Sequence, residues 1–420
     1  MFNLTNAAES IFLKALGGLK QGHLELTNRG VTHHFGAKSD DLHAVITVHD
    51  SQFFRRALLD GDIGIGESYM AGEWTSPDVA NVIRLAVRNL DYLENNNSWF
   101  SAFSRAGNRI QHVLKSNTMT RSKQNIQAHY DLSNEFFGLF LDDSMMYSCG
   151  WFESASDSLE RAQLNKLERI CRKLQLQPGD RVLEIGTGWG GFALHAASKY
   201  GAHVTTTTIS QQQHDWAAGR FGDFDPEGQR IKLLMEDYRK LKGSYDKIVS
   251  IEMFEAVGLD YYDEFFSTCD RLLKPDGTML MQTITMLDQK FPAYHRSSDW
   301  IQKYIFPGGE LASMTEIMKS TSRATRLALF NAEDMGLHYA RTLDEWRRRF
   351  MRNLGAVRNL GFDENFTRMW EFYLAYCEGA FLERHVSTVQ LVFTKSYSGR
   401  VLSGEEFRLE SARAMASKRS

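Results

Sequence analysis

The chain has 420 residues, 43% hydrophobic and 24% charged, with a formal net charge of −3 at pH 7. That length suits two or three domains with a large core, and the near-neutral balance removes any global electrostatic argument for a nucleic-acid partner. No apolar run approaches the ~20 residues of a membrane span, and Met1-Phe2-Asn3-Leu4-Thr5-Asn6 has neither a basic leader nor a continuous apolar region, so neither a spanning helix nor a secretory signal is expected. The four cysteines, Cys149, Cys171, Cys269 and Cys377, form no CxxC pair. This argues against a zinc site or a disulfide framework and fits a reducing cytoplasm.

In chain order, apolar spacing predicts a helix over 11–16, then short strands over 24–26 and 45–48 bracketing the turn Asn28-Arg29-Gly30. Helices follow over 53–59 and 82–87, with Ser76-Pro77-Asp78 as the start signal of the second. His33 and His34 lack a third ligand nearby and read as surface or strand histidines. Residues 101–125 carry Arg105, Arg109, Lys115, Arg121 and Lys123 without one acidic residue. This stretch reads as a linker. The alternative is contact with anionic lipid headgroups, where each well-placed cation contributes about 1 kcal/mol.

Beyond it the pattern alternates. A helix is expected over 158–174 with Leu164, Leu167, Ile170, Cys171 and Leu174 on its stripe, then the turn Pro178-Gly179-Asp180 and a strand over 181–185. A helix over 192–200, a strand over 203–208 and a helix from about Ser210 come next. The series ends with a strand over 245–251, a helix over 262–273, the turn Lys274-Pro275-Asp276-Gly277 and a strand over 278–284. Such alternation implies an α/β fold with a parallel sheet and right-handed crossovers, whose ligands bind beyond the carboxyl ends of the strands.

The most informative segment is Val182-Leu-Glu-Ile-Gly-Thr-Gly-Trp-Gly-Gly191, a β-branched run entering a glycine-rich turn before a helix. Gly186 and Gly188 can take positive φ and admit a ligand close to the backbone, and the helix start offers unpaired amides. Gly-x-Gly-x-Gly, with Glu184 two places before it, resembles the first motif of S-adenosylmethionine-dependent methyltransferases. Thr208-Ile209-Ser210-Gln211-Gln212-Gln213 stands where a generic member has an acidic residue for the ribose; neutral amides and hydroxyls can do the same.

Further motifs narrow the resemblance. Gly66-Glu67-Ser68-Tyr69-Met70, His129-Tyr130-Asp131-Leu132-Ser133-Asn134, Tyr147-Ser148-Cys149-Gly150-Trp151-Phe152, Phe254-Glu255-Ala256-Val257-Gly258 and Lys303-Tyr304-Ile305-Phe306-Pro307-Gly308-Gly309 together resemble the cyclopropane fatty acid synthase family over nearly the whole chain. The resemblance implies a Rossmann-like class I methyltransferase sheet with a smaller N-terminal α+β domain. The expected boundaries are 1–115 for a lipid-associated accessory domain, 116–124 for a basic linker, 125–400 for the methyltransferase domain and 401–420 for a polar tail. It implies methyl transfer from S-adenosylmethionine to a cis double bond of a phospholipid acyl chain, with ring closure by proton loss; a methyl-branched or methylene product is the alternative. The partners implied are an unsaturated phospholipid, the inner face of the membrane held peripherally from the cytoplasm, and a homodimer, with no nucleic acid and no metal.

By the same resemblance the cofactor residues are Tyr147, Ser148, Glu184, Gly186, Thr187, Gly188, Gly190, Thr208, Ser210, Gln213, Asp237 and Tyr238. A bound bicarbonate is implied as the base, held by the backbone of Cys149 and Ile284, the side chains of Glu255 and Tyr339, and Gln282, which stands where many members have His. Glu255 is expected to have a raised pKa. Cys377 matches the cysteine often assigned as active, but a thiolate finds no electrophilic carbon in an alkene, so a pocket-lining role is expected. Tyr147, Phe254, Tyr304, Phe306 and Tyr339 are candidates to stabilise a carbocation through their ring faces, with core packing as the plainer reading of each. Ala256, where many members have His, is the second departure.

Overall fold

The computed structural model describes residues 4–96 and 132–395. The cationic stretch 101–125, the linker expected at 116–124, His129-Tyr130-Asp131 and the tail 401–420 lie outside the described residues.

The chain opens with α1 (Leu4–Leu16), β1 (His23–Asn28), β2 (Val31–Gly36), β3 (His43–Val48), α2 (Gln52–Met70), β4 (Trp74–Thr75), α3 (Val79–Arg88) and α4 (Leu90–Asn96), followed later by α5 (Asn134–Gly138). These strands form a sheet of order β2-β1-β3-β4, with β1 antiparallel to β2 and parallel to β3. Period-two alternation buries Leu24 and Leu26 of β1 and Ala44, Ile46 and Val48 of β3. Arg29 and Gly30 both have positive φ, 49° and 77°, the geometry of a two-residue hairpin turn. The strand after that turn is therefore β2 and not β3 as expected; β2 has no buried residue and so no apolar signal. Asp78 caps α3 as foreseen, its carboxylate accepting from the Ala80 amide at 3.1 Å.

The α/β part runs α6 (Leu159–Lys173), β5 (Arg181–Ile185), α7 (Gly191–Tyr200), β6 (His203–Thr208), α8 (Gln211–Phe224), β7 (Ile231–Met235), β8 (Tyr245–Ile251), α9 (Tyr262–Leu272) and β9 (Leu273–Met286). After these come α10 (Phe291–Tyr294), α11 (Trp300–Tyr304), β10 (Ala312–Ser313), α12 (Met314–Ala324), β11 (Leu327–Asp334), α13 (Gly336–Arg352), α14 (Leu354–Asn359), α15 (Glu364–Leu382) and β12 (Val386–Lys395). The main sheet has the order β11-β12-β9-β8-β5-β6-β7. Its β7, β6, β5, β8 and β9 are parallel, and β11 pairs antiparallel with β12. The order reverses at β5, between β6 and β8, which makes the end of β5 the topological switch point where such sheets bind ligands.

Two local expectations are corrected. The turn expected at 274–277 is a bulge inside β9: Tyr245 pairs with Leu273 and Lys247 with Thr278, so the intervening residues are looped out of the ladder. On α6, Leu164 is exposed, and the buried face is Leu159, Ala162, Leu167, Ile170 and Cys171. Leu167, Ile170 and Cys171 of that face pack with Phe192, Ala193 and Ala196 of α7 in the core beside β5 and β6.

The chain divides into two compact units. One comprises Met1–Leu141, Thr285–Ser313 and Met335–Ser387; the other comprises Asp142–Ile284, Met314–Asp334 and Thr388–Ser420. Residues 285–313 and 335–387, which the sequence places with the methyltransferase domain, thus cluster with the N-terminal residues. In that first unit α15 lies against α3, where Gly379 is required: a Cβ there would stand 2.8 Å from Ile83 Cβ and 2.9 Å from the Ala80 carbonyl.

Candidate active site

The loop leaving β5 takes the conformation its glycines permit. Gly186, Gly188 and Gly190 have φ of 100°, 52° and 88°. The Gly186 and Thr187 amides donate to the Thr207 carbonyl at 3.1 and 3.0 Å, which ties the loop to β6. A Cβ on Gly190 would stand 2.6 Å from the Phe221 ring, and one on Gly191 2.4 Å from Met146 Sδ. At Gly188 a Cβ would meet no heavy atom within 4 Å. The loop is therefore packed from behind at Gly190 and Gly191 and open at Gly188, followed by the N-terminus of α7. That is a cradle for a nucleoside cofactor. Arg220 of α8 braces it by donating to the carbonyls of Trp189, at 2.9 Å, and Ser144, at 3.1 Å.

Behind the loop Glu184 is buried, and Thr206 donates to it at 2.6 Å. The Thr206 oxygen then accepts from the Thr187 hydroxyl at 2.7 Å, since Thr206 has only one proton to give. Burial lifts the Glu184 pKa to about 8. An unfolded chain would lose that proton near its ordinary value of 4.5, so the stability tied to protonated Glu184 is present below that value and lost as pH rises through about 8. Glu184→Gln, neutral at every pH, is expected to flatten part of the decline in melting temperature between pH 5 and 8.5. Parallel melting curves for variant and wild type across that range would contradict a buried, protonated Glu184.

Beyond β6, Thr208, Ser210 and Gln213 bond among themselves. The Thr208 hydroxyl donates to Gln213 Oε1 at 2.9 Å and accepts from the Ser210 amide at 3.1 Å, and Ser210 caps α8 through the Gln213 amide. Beyond β7, both carboxylate oxygens of Asp237 accept from Arg239, at 2.8 and 2.6 Å. The Tyr238 ring packs edge-on against Phe265, with centroids 5.5 Å apart. Tyr147 and Ser148 precede α6, where the buried Lys166 donates to Ser148 Oγ at 2.7 Å.

The candidate catalytic residues Glu255, Gln282 and Ile284 lie at the ends of β8 and β9. Glu252 Oε1 accepts from the Cys149 amide at 2.9 Å and from Gln282 Nε2 at 2.8 Å. Glu255 Oε1 accepts from the Ile284 amide at 2.6 Å and from Thr283 Oγ1 at 3.1 Å. Its Oε2 is buried with no hydrogen-bond partner among the described residues. Burial, then the charge of Glu252, raises the Glu255 pKa to about 8, so Glu255 is largely protonated at pH 7. The bicarbonate that the resemblance implies does not fit this donor set. Cys149 and Gln282 both donate to Glu252, and the Ile284 amide donates to Glu255.

A family model described as mycolic acid cyclopropane synthetase matches residues 117–391. The chain belongs to that family. It is thereby an S-adenosylmethionine-dependent methyltransferase with the corresponding class I fold. It is 38% identical over 344 residues to the tuberculostearic acid methyltransferase UfaA1 of Mycobacterium tuberculosis, covering 80% of this chain and 79% of that one. It is 37% identical over 366 residues to the cyclopropane-fatty-acyl-phospholipid synthase of Escherichia coli, covering 84% and 88%. The crystal structure of the mycolic acid cyclopropane synthase CmaA1 complexed with SAH and CTAB superposes with a TM-score of 0.60 at 32% identity, covering 65% of this chain and 98% of that one.

The family motifs of the first unit have physical reasons of their own. A Cβ on Gly66 would stand 2.3 Å from Trp300 Nε1. Glu67 accepts from Lys303 Nζ at 2.5 Å and Tyr304 OH at 2.6 Å, and Trp74 Nε1 donates to Ser68 Oγ at 3.0 Å. Gly66-Glu67-Ser68 and Lys303-Tyr304 are thus halves of one contact. Tyr339 and Cys377 also lie in this unit, on α13 and α15, whereas Cys149, Glu255, Gln282 and Ile284 lie in the other. The Tyr339 ring packs 4.6 Å from Phe381, and Phe306 packs 5.9 Å from Tyr373. Burial, then the charge of Asp299, raises the Cys377 thiol pKa, so Cys377 is a thiol and not a thiolate at neutral pH. Phe254 is fully buried, 4.3 Å from Tyr262 and 4.9 Å from Phe265, which is core packing.

Sequence reading gave no role to Lys166 or Arg220, and none to Glu252, although Glu252 opens a segment expected at the ligand-binding end of the sheet. For Glu252 one signal existed: two acidic residues three apart, in a segment already placed at the end of a sheet strand.

Proposed function

We propose that this family member transfers a methylene group from S-adenosylmethionine to a cis double bond of an unsaturated phospholipid acyl chain, forming a cyclopropane fatty acid. The observation that carries the reading is the 37% identity over 366 residues to a cyclopropane-fatty-acyl-phospholipid synthase, which covers 84% of this chain and 88% of that one. S-adenosylmethionine supplies an electrophilic methyl. The protein supplies alignment, because an alkene is a feeble nucleophile with no proton to remove beforehand. Gly186, Thr187, Gly188 and Gly190 hold the cofactor, with Tyr147, Ser148, Thr208, Ser210, Gln213, Asp237 and Tyr238 around it. By the resemblance, Tyr339, Tyr304 and Phe306 are the candidates to stabilise a carbocation through their ring faces, and Cys377 has a pocket-lining role.

The same reading has the enzyme working peripherally on the cytoplasmic face of the membrane, as a homodimer, with the cationic stretch 101–125 as the contact with anionic headgroups. Among the described residues no helix is long and apolar enough to cross a membrane. A second reading, methyl transfer that leaves a branch or a methylene, is favoured by the 38% identity to a tuberculostearic acid methyltransferase and by Gln282 in place of His.

Incubation with S-adenosylmethionine and unsaturated phospholipid vesicles, followed by mass spectrometry of the acyl chains, is expected to show a gain of one CH2 with loss of the double bond. Acyl chains unchanged under conditions where the protein binds S-adenosylhomocysteine would remove phospholipid as the substrate.

A further inference from the structure

We propose that Glu252 is the base of the reaction, a carboxylate built into the chain where the family resemblance calls for a bound bicarbonate. The inference rests on the ring-closing reading above and names the group that takes the proton.

The carboxylate of Glu252 engages the donors expected for the anion, the Cys149 amide at 2.9 Å and Gln282 Nε2 at 2.8 Å. The direction of the Gln282 amide is dictated from a distance. Lys173 Nζ, which can only donate, is 2.7 Å from Gln390 Oε1. That fixes the Gln390 NH2 toward Gln282 Oε1, at 2.9 Å, and leaves the Gln282 NH2 to face Glu252. The whole relay therefore presents a donor to an acceptor at position 252.

Backbone geometry agrees. Glu252 has φ 48°, a left-handed conformation that costs a non-glycine residue roughly 1 kcal/mol. It is held there by its own amide, which donates to the Gln282 carbonyl at 2.8 Å, as well as by its side chain. Burial lowers the Lys166 pKa to about 8, and the charge of Glu252 acts against that shift. Beside it, burial and then the charge of Glu252 raise the Glu255 pKa to about 8.

The step balances. The alkene π pair forms a carbon–carbon bond to the methyl of S-adenosylmethionine, and the sulfur–carbon pair leaves on S-adenosylhomocysteine. Glu252 then takes one proton from the new methyl, and the freed carbon–hydrogen pair closes the ring onto the cationic carbon. The proton passes from Glu252 to solvent before the next turnover.

The test uses the full chain with S-adenosylmethionine and unsaturated phospholipid vesicles, in buffer stripped of carbon dioxide and in the same buffer with added bicarbonate. Wild type is expected to form cyclopropane at rates within about twofold of each other in the two buffers. Glu252→Gln should lose roughly 100-fold or more of turnover while binding S-adenosylhomocysteine as wild type does. Glu252→Gly, whose backbone suits the left-handed conformation, should fold, lose turnover, and regain it in part when bicarbonate enters the space vacated. A cyclopropane product whose formation by wild type needs bicarbonate would overturn the role of Glu252 alone, as would Glu252→Gln turnover within about twofold of wild type. A branched product from wild type would overturn the ring-closing reading and this inference with it.

Discussion

Gly188→Val is expected to abolish binding of S-adenosylhomocysteine while leaving the protein folded. The two effects separate because of where Gly188 stands. A Cβ there meets no heavy atom of the protein within 4 Å, so the substitution creates no internal clash. Its folding cost is the positive φ of 52°, on the order of 1–2 kcal/mol and more for a β-branched residue than for alanine. The side chain instead projects into the open side of the loop at the carboxyl end of β5, where a ligand must approach the backbone. Titration calorimetry is expected to show no measurable binding, with a melting temperature only a few degrees below wild type. Wild-type affinity in a folded variant would remove the glycine loop from the site.

Glu333→Ala is expected to destabilise the protein by about 3–5 kcal/mol, the cost of leaving buried charges without their counterion. The Lys173 side chain is only 2% exposed, and Nζ lies 2.6 Å from Glu333 Oε2; Arg169 Nη2 reaches the same carboxylate at 2.5 Å. Removing Glu333 strands both cations, and Gln390 alone cannot neutralise Lys173. Burial already lowers the Lys173 pKa to about 8 with the carboxylate present, so without it Lys173 should shed its proton more readily still. The melting temperature should fall by on the order of 10 °C. The loss should be larger at pH 6 than at pH 9, where a neutral amine is tolerated. A loss below about 1 kcal/mol, equal at both pH values, would show that the pair is solvated.

Much of this was legible where one short segment carries the whole signal. The β-branched run 182–185, the glycines after it and the helix start signal at Asp78 all act through neighbours within a few positions. Strand β2 was missed because an exposed edge strand has no apolar face to betray it. The bulge at 274–277 read as a turn because proline and glycine signal a break in the ladder without saying whether the strand resumes. Glu252 was left without a role for a different reason. Its partners, Cys149 and Gln282, stand 103 and 30 positions away, and the orientation of Gln282 depends on Gln390, 108 positions from Gln282, and on Lys173, 217 positions from Gln390. The resemblance supplied the donors of an anion site, but only the folded chain shows a carboxylate already among them.

Whether methyl transfer ends in ring closure is read most directly from a label on the transferred methyl. S-adenosylmethionine carrying a fully deuterated methyl is incubated with the enzyme and unsaturated phospholipid, and the modified acyl chains are weighed. Ring closure removes one deuteron from the new carbon, so a cyclopropane retaining two of the three is the expected product. A dominant product retaining all three deuterons would mean that no proton left the transferred methyl, and would make the enzyme a branching methyltransferase instead.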